Sequence, residues 1–286
     1  GGAGSRDMVC RRDELLLAVR VTADCAALPR DMASELSAVA RVAAGVPLLV
    51  ATHRGRERLE DGVAYLRHGI ATVSPGTLHD HLLEGVPPLV FSAPGGLYVR
   101  LARGALRSAR DRRGHSLGDL AGACGVTRRA VQMYEEGMCA RVDVAVRLEE
   151  LYGESLSEPV DIFSLSGEAG KGREEMSRLE ELGDEVLHRL DEMGYQVVPA
   201  THCPFDALVS GRRGFMAGLD RARPGLRDRA RVLTDLSDLS GIPGVLFVRE
   251  RKGMENLEGT AVVGRSEVRR MKDPRDILDL IDERTG

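Results

Sequence analysis

The chain has 286 residues, 43% of them hydrophobic and 29% charged, which is enough for more than one buried core. No run nears the ~18–20 uninterrupted apolar residues of a bilayer crossing, and no charged start leads into an apolar stretch with a small-residue cleavage site, which argues against membrane insertion and secretion. A net charge of −4 excludes a uniformly basic coat for nucleic acid, so any such binding has to be local.

In chain order, residues 1–5 are a loose Gly-rich start. A strand is expected over 15–21, a helix over 29–44 with Pro29 in its first turn, and a short buried strand over 46–51. A charged loop (54–61) precedes strands at 63–66 and 70–73 and a helix opening at Ser74. Three prolines and three glycines in 85–96 mark a boundary or a hairpin connector. Residues 97–156 read as helices. The stretch 164–177 is rich in Gly, Ser and charge, as a linker is. Beyond it come a helix over 179–193, strands near 195–198, 207–209 and 215–217, a helix over 226–239, strands at 245–249 and 261–263, and a last helix over 274–283.

The two α/β parts read as copies. RDMVCRRDELLLAV from Arg6 matches FDALVSGRRGFMAG from Phe205, each with an aspartate second, and VPLLVATH from Val46 matches IPGVLFVR from Ile242. LEDGVAYLRHGIATV from Leu59 matches LEGTAVV from Leu257. The first copy has no counterpart of 179–202, so the chain is expected to begin inside a domain.

The sharpest signal is SLGDLAGACGVTRRAVQMYEEG, residues 116–137, which has the spacing of a helix-turn-helix. Ser116 caps the first helix, with Asp119 near its positive end. Leu117 and Leu120 face inward, and Ala121 is small where the second helix packs close. Gly125 takes the turn, Val126 plugs the corner, Thr127 caps the second helix, and Val131 and Tyr134 bury its inner face. Arg128, Arg129, Gln132 and Met133 remain outward. Arginine forks to guanine, glutamine to adenine, and methionine touches a thymine methyl. Ser116 and Thr127, with the amide ends beside them, suit phosphate. Between Tyr98 and Tyr152 ten arginines face seven acids, the local positive charge that such binding needs. A plain helical hairpin with a solvated arginine face is the simpler alternative, and the spacing is more specific than that.

This run resembles the Xre-type, phage-repressor-like helix-turn-helix family, with Leu106-Arg107-x-x-Arg110 as its first helix and VAVRLEELY (144–152) as its fourth. The resemblance implies a structural pair between Arg110 and Glu135. GGLYV ahead of the motif, PVDIF after it and PFDAL at Pro204 extend the likeness over nearly the whole chain, which is similar to the archaeal family of HTH-type transcriptional regulatory proteins. Members usually carry a further helix and strand ahead of the first aspartate run. The family implies a cytoplasmic regulator whose partner is double-stranded DNA.

The α/β copies resemble the restriction-endonuclease-like, PD-(D/E)XK class, whose chemistry needs an aspartate on one strand and Glu-x-Lys on the next to hold Mg²⁺ and position water. Asp7 and Asp206 fit the first acid. The next element offers Ala18-Val19-Arg20 and Ala217-Gly218-Leu219, with no carboxylate beside a lysine. Glu250-Arg251-Lys252 comes one strand too late. His79 and His81, with Asp80, are two apart and share no helix face, so they read as solvated surface. Cys203, between His202 and Pro204, is a sensor-thiol candidate, although an ordinary buried cysteine is the simpler reading. With Cys10, Cys25, Cys124 and Cys139 it forms no CxxC pair and no zinc-finger spacing, as expected of reduced thiols.

The expected architecture is therefore α/β plus all-α. A four- to five-helix Cro/repressor-like domain (85–163) is flanked by two degenerate restriction-endonuclease-like domains (1–84 and 179–286), with a linker over 164–178. The expected function is that of a sequence-specific DNA-binding regulator working as a homodimer, without catalytic residues, metal or cofactor. An Mg²⁺-dependent nuclease and a non-DNA-binding adaptor are the alternatives.

Overall fold

Unbroken apolar runs make strands covered on both faces, whereas alternating runs leave one face to water. The computed structural model describes residues 6–165, 184–200, 203, 205–211, 213–220, 225–271 and 273–285. β1 (Arg6–Arg12), the strand that carries the first copy's aspartate, leads into β2 (Leu15–Asp24), where residues 16–19 are buried in succession. α1 (Arg30–Val42) begins after Pro29, which sits at its N-cap. The chain then turns at Gly45, where a Cβ would meet Leu16 Cδ2 at 2.5 Å and its carbonyl oxygen at 2.7 Å. Next come β3 (Val46–Arg54), β4 (Glu57–Arg58), β5 (Val63–Arg67) and β6 (Ile70–Val73). β3 and β6 are parallel, β5 and β6 antiparallel, and the strand order is β1-β2-β3-β6-β5. Ser74 Oγ accepts the Thr77 N–H at 3.0 Å to start α2 (Pro75–His79), which runs on into a π turn, Asp80–Glu84.

The expectation of helices alone from 97 to 156 is corrected. The connector is a hairpin of β7 (Val90–Ala93) and β8 (Gly96–Leu101), because Val99 and Leu101 alternate inward with an outward Arg100, a period of two. The helices α3 (Ala105–Arg113), α4 (Leu117–Cys124) and α5 (Arg128–Glu135) follow. β9 (Cys139–Arg141), α6 (Val142–Tyr152) and β10 (Ser157–Glu158) complete this part, and β9 and β10 both pair antiparallel with β8. Leu106, Leu120, Val131 and Leu148 fill the core between the helices, and Val99 and Leu101 close it from the sheet.

The expected linker and the start of the expected helix at 179 lie largely outside the described residues. α7 (Glu185–Glu192) precedes β11 (Gln196–Pro199), β12 (Ala207–Ser210) and β13 (Phe215–Leu219), and α8 (Leu226–Ser240) leads to β14 (Gly244–Val248), β15 (Asn256–Leu257) and β16 (Thr260–Gly264). α9 (Arg265–Arg270), an addition to the expected elements, and α10 (Pro274–Thr285) end the fold. The order β12-β13-β14-β16-β15 repeats β1-β2-β3-β6-β5 strand for strand, with α8 in the place of α1. β13, β14 and β16 are buried at every position, as parallel strands covered on both faces are.

Two compact units interleave along the described chain. One holds 21–27 and 48–165, and the other holds 6–20, 28–47 and 184–285. Within the second unit, Val186, Leu190, Ile277 and Ile281 cover one face of its sheet around Phe215 and Phe247. Each of these aromatics contributes about 1.5–3 kcal/mol by burial. The opposite face is covered by Leu233 of α8 and Ala38 of α1, together with Leu16. The packing is reciprocal, since α1 lies against β11 and β12 while α8 lies against β1.

Candidate nucleic-acid interface

Local chemistry sets the two central helices. Ser116 Oγ accepts the Asp119 N–H at 3.2 Å and the Asp119 carboxylate accepts the Ser116 N–H at 2.7 Å, so both ends of the capping box are closed. The Ser116 amide, then its hydroxyl, hold the Asp119 carboxyl below its ordinary range. α4 ends at Gly125, whose φ of 69° is the left-handed conformation a Cβ resists. Thr127 Oγ1 then accepts the Ala130 N–H at 3.1 Å and starts α5. Leu120 and Val131 are fully buried between the helices, and burial pushes the Cys124 thiol and the Tyr134 phenol up.

The residues expected to read DNA fall on one side. Arg128, Arg129 and Gln132 are exposed on α5, Met133 is half-buried, and Ser116 and Thr127 are exposed at the two N-caps. Neither Arg128 nor Arg129 has an ion pair among the described residues. The Arg128 guanidinium lies over Gly118, where an added Cβ would stand 3.1 Å from its Nη2. Gly118 was not among the expected site residues. The room it leaves is set by the approach of α4 to α5, which no local pattern reports.

Other arginines of this region hold the fold. Arg110 Nε donates to Glu135 at 2.6 Å, both side chains being largely buried, and Arg110 Nη1 donates to the His115 carbonyl at 3.1 Å. The Glu135 hydrogen bond raises the Arg110 pKa further. Arg147 Nη1 donates to the Cys124 carbonyl at 3.1 Å, and Arg113 Nη2 to the Tyr152 carbonyl at 3.0 Å, so the C-termini of α4 and α6 are each capped by a cation. A helix C-terminus followed by glycine, with arginines nearby, was the available signal for these two.

The acids of the nuclease comparison are placed differently. Asp206 Oδ2 accepts the Leu219 N–H at 2.7 Å and the Arg229 guanidinium, and Arg229 Nη1 also donates to the Leu219 carbonyl at 2.9 Å. A cation from α8 thus sits on one oxygen of the Asp206 carboxylate, and Ala217-Gly218-Leu219 supplies no second acid. Glu250-Arg251-Lys252 follows β14, with Arg251 paired to Glu255 at 2.8 Å. Asp7 lies on β1, its side chain outside the described residues. His79, Asp80 and Glu84 gather their ligand atoms within 4.8 Å on the surface, while His81 packs against Phe163 at 5.1 Å. Cys203 is half-buried beside the core of the second unit, its two neighbours lying outside the described residues. Among the described residues no helix is long and apolar enough to cross a membrane.

These elements define a helix-turn-helix protein with an attached nuclease-like α/β domain. Residues 106–158 match the helix-turn-helix family model and residues 2–88 that of a PD-(D/E)XK superfamily domain. Archaeal proteins bearing the name "Putative HTH-type transcriptional regulatory protein" match nearly the whole chain. That of Halorubrum lacusprofundi is 35% identical over 98% of this chain and 88% of its own length. Those of Haloquadratum walsbyi and Methanosarcina barkeri are 33% and 31% identical, each over 98% of this chain and 89% of their own length. The chain belongs to this family of HTH-type transcriptional regulatory proteins. No solved structure matches it.

Proposed function

We propose that the chain is a sequence-specific transcriptional regulator that lays α5 in the DNA major groove as a homodimer. The observation that carries this reading is the outward row Arg128, Arg129 and Gln132 on a helix whose inner face, at Val131, is fully buried. Both guanidinia are free to fork to guanine or phosphate. Ser116 and Thr127 present exposed N-caps to phosphate, and Met133 offers an apolar edge to a thymine methyl. One such helix per chain reads a half-site, so a two-fold pair would address grooves ~34 Å apart.

The α/β copies serve in this reading without cutting DNA, as degenerate members of the endonuclease-like class. Arg229 on Asp206 supports that for the second copy, and its strand order, the same as in the first, supports the common class. The domain boundaries 1–84, 85–163 and 179–286 and the cytoplasm as the place of action belong to the same reading.

The test is the affinity of Arg128→Ala and Gln132→Ala for a preferred duplex and for its single-base variants. A loss of ~1–3 kcal/mol at one base step, with discrimination there relaxed, is expected. Equal loss on all sequences would show that these side chains touch only phosphate. Absence of any salt-dependent duplex affinity in the unaltered chain would overturn the reading.

A further inference from the structure

In the first unit a cleft of 940 Å³ opens between β5, the β3–β4 hairpin and the tip of the β7–β8 hairpin. Its floor is apolar and aromatic, with Leu59 and Tyr65 buried and Phe91 half-buried. Its rim is cationic. Arg54 and Arg58 are exposed, and neither guanidinium has an ion pair or a hydrogen bond among the described residues. Arg67 is held in place, its Nη2 donating to the Ala26 carbonyl at 2.7 Å. Against these three cations stand Glu57 and Glu60, so the lining keeps an excess of positive charge.

We propose that this cleft binds a small anion with a planar apolar body, and that the ligand is an effector of duplex binding; the effector role rests on the function proposed above. Free guanidinia take a carboxylate, sulfonate or phosphate in forked hydrogen bonds. Phe91 and Tyr65 offer faces and edges to a ring. Burial pushes the Tyr65 pKa up, so the floor remains uncharged. A DNA backbone would need the cations and not the aromatic floor.

The cleft also reaches the DNA-binding part through the strand that carries it. Phe91 stacks on Tyr98 with ring centroids 6.1 Å apart, and Tyr98 opposes Arg141 of β9. β8 then runs on toward α3, where the Gly104 N–H donates to the Glu135 carbonyl at 3.0 Å at the end of α5. A ligand against Phe91 therefore touches the hairpin from which the recognition helix is hung.

Anilinonaphthalene sulfonate, an aromatic anion that fluoresces on leaving water, is the probe. The full chain, the double variant Arg54→Ala/Arg58→Ala and Phe91→Ala are titrated at ~150 mM salt, with and without the preferred duplex. Both arginines are exposed, so the double variant is expected to keep its core, which thermal unfolding checks. The expected result is one saturable site per chain, weakened on the order of tenfold or more in the double variant and weakened again in Phe91→Ala, with duplex affinity changed when the probe is bound. No saturable binding, or equal binding by the double variant, overturns the site. Unchanged probe binding with weaker duplex binding assigns the arginines to DNA and also overturns it. Probe binding as expected with unaltered duplex affinity overturns the effector role. Loss of the function proposed above would show instead as absent duplex binding, while the probe titration still reads the cleft.

Discussion

Arg110 and Glu135 join the first helix of the DNA-binding part to the end of its recognition helix, and removing either leaves a charge behind. The Arg110 side chain is 15% exposed and that of Glu135 10%. Breaking a buried pair from one side costs ~3–5 kcal/mol. The two sides are unequal. In Glu135→Ala the arginine keeps the His115 carbonyl at 3.1 Å and Asp111 at 3.0 Å, which places the cost near the lower end, about 3 kcal/mol. In Arg110→Ala the carboxylate loses the one side-chain partner it has among the described residues, which places the cost near the upper end, about 5 kcal/mol. Hydrogen exchange of α3 and α5 amides, read by mass spectrometry in the full chain, measures this locally. Protection should fall roughly a hundredfold in Glu135→Ala and further in Arg110→Ala. Replacing both residues by apolar side chains of similar size should recover much of the loss. Protection unchanged within tenfold in both single variants, or a larger loss in Glu135→Ala, would refute the reasoning.

Two further outcomes separate stability from binding. Gly118→Ala should stabilise α4 by about 0.5–1 kcal/mol through helix propensity, yet modestly weaken duplex binding, because the new Cβ, 3.1 Å from Arg128 Nη2, makes the guanidinium shift by a few tenths of an ångström. Thermal unfolding beside a duplex titration tests this, and unaltered affinity would show that Arg128 does not work from this position. The capping box of α4 should respond to acid. The folded-state pKa of Asp119 is lowered from 3.8, so its contribution is complete above that value and is lost as pH falls through the depressed one. The Ser116 amide should move in an NMR titration below pH 3.8 and stay fixed above it; a shift centred above that value would contradict the bond.

What was legible in the sequence was local. Ser116, Gly125 and Thr127 each act within a few residues of themselves, through a cap, a left-handed turn and a second cap, so their roles follow from spacing. The buried runs of β3 and β14 were equally plain. The strands flanking the helices were not, because β9 and β10 are only three and two residues long and are defined by β8 rather than by their own pattern. Three features lie beyond any local pattern: α1 seated on β11 and β12, Arg229 seated on Asp206, and the space at Gly118 that Arg128 fills. The first two join residues far apart in sequence, and the third, although both residues lie in one motif, depends on how closely α4 and α5 pack, which spacing alone does not report.

The most direct test of the regulator is selection of bound duplexes from a random library at ~150 mM salt with Mg²⁺ present, followed by a denaturing gel of the recovered strands. The account predicts a two-fold symmetric motif with half-sites ~34 Å apart, intact strands, and a changed or lost motif in Arg128→Ala. No enriched sequence, or strands recovered cut, would contradict it.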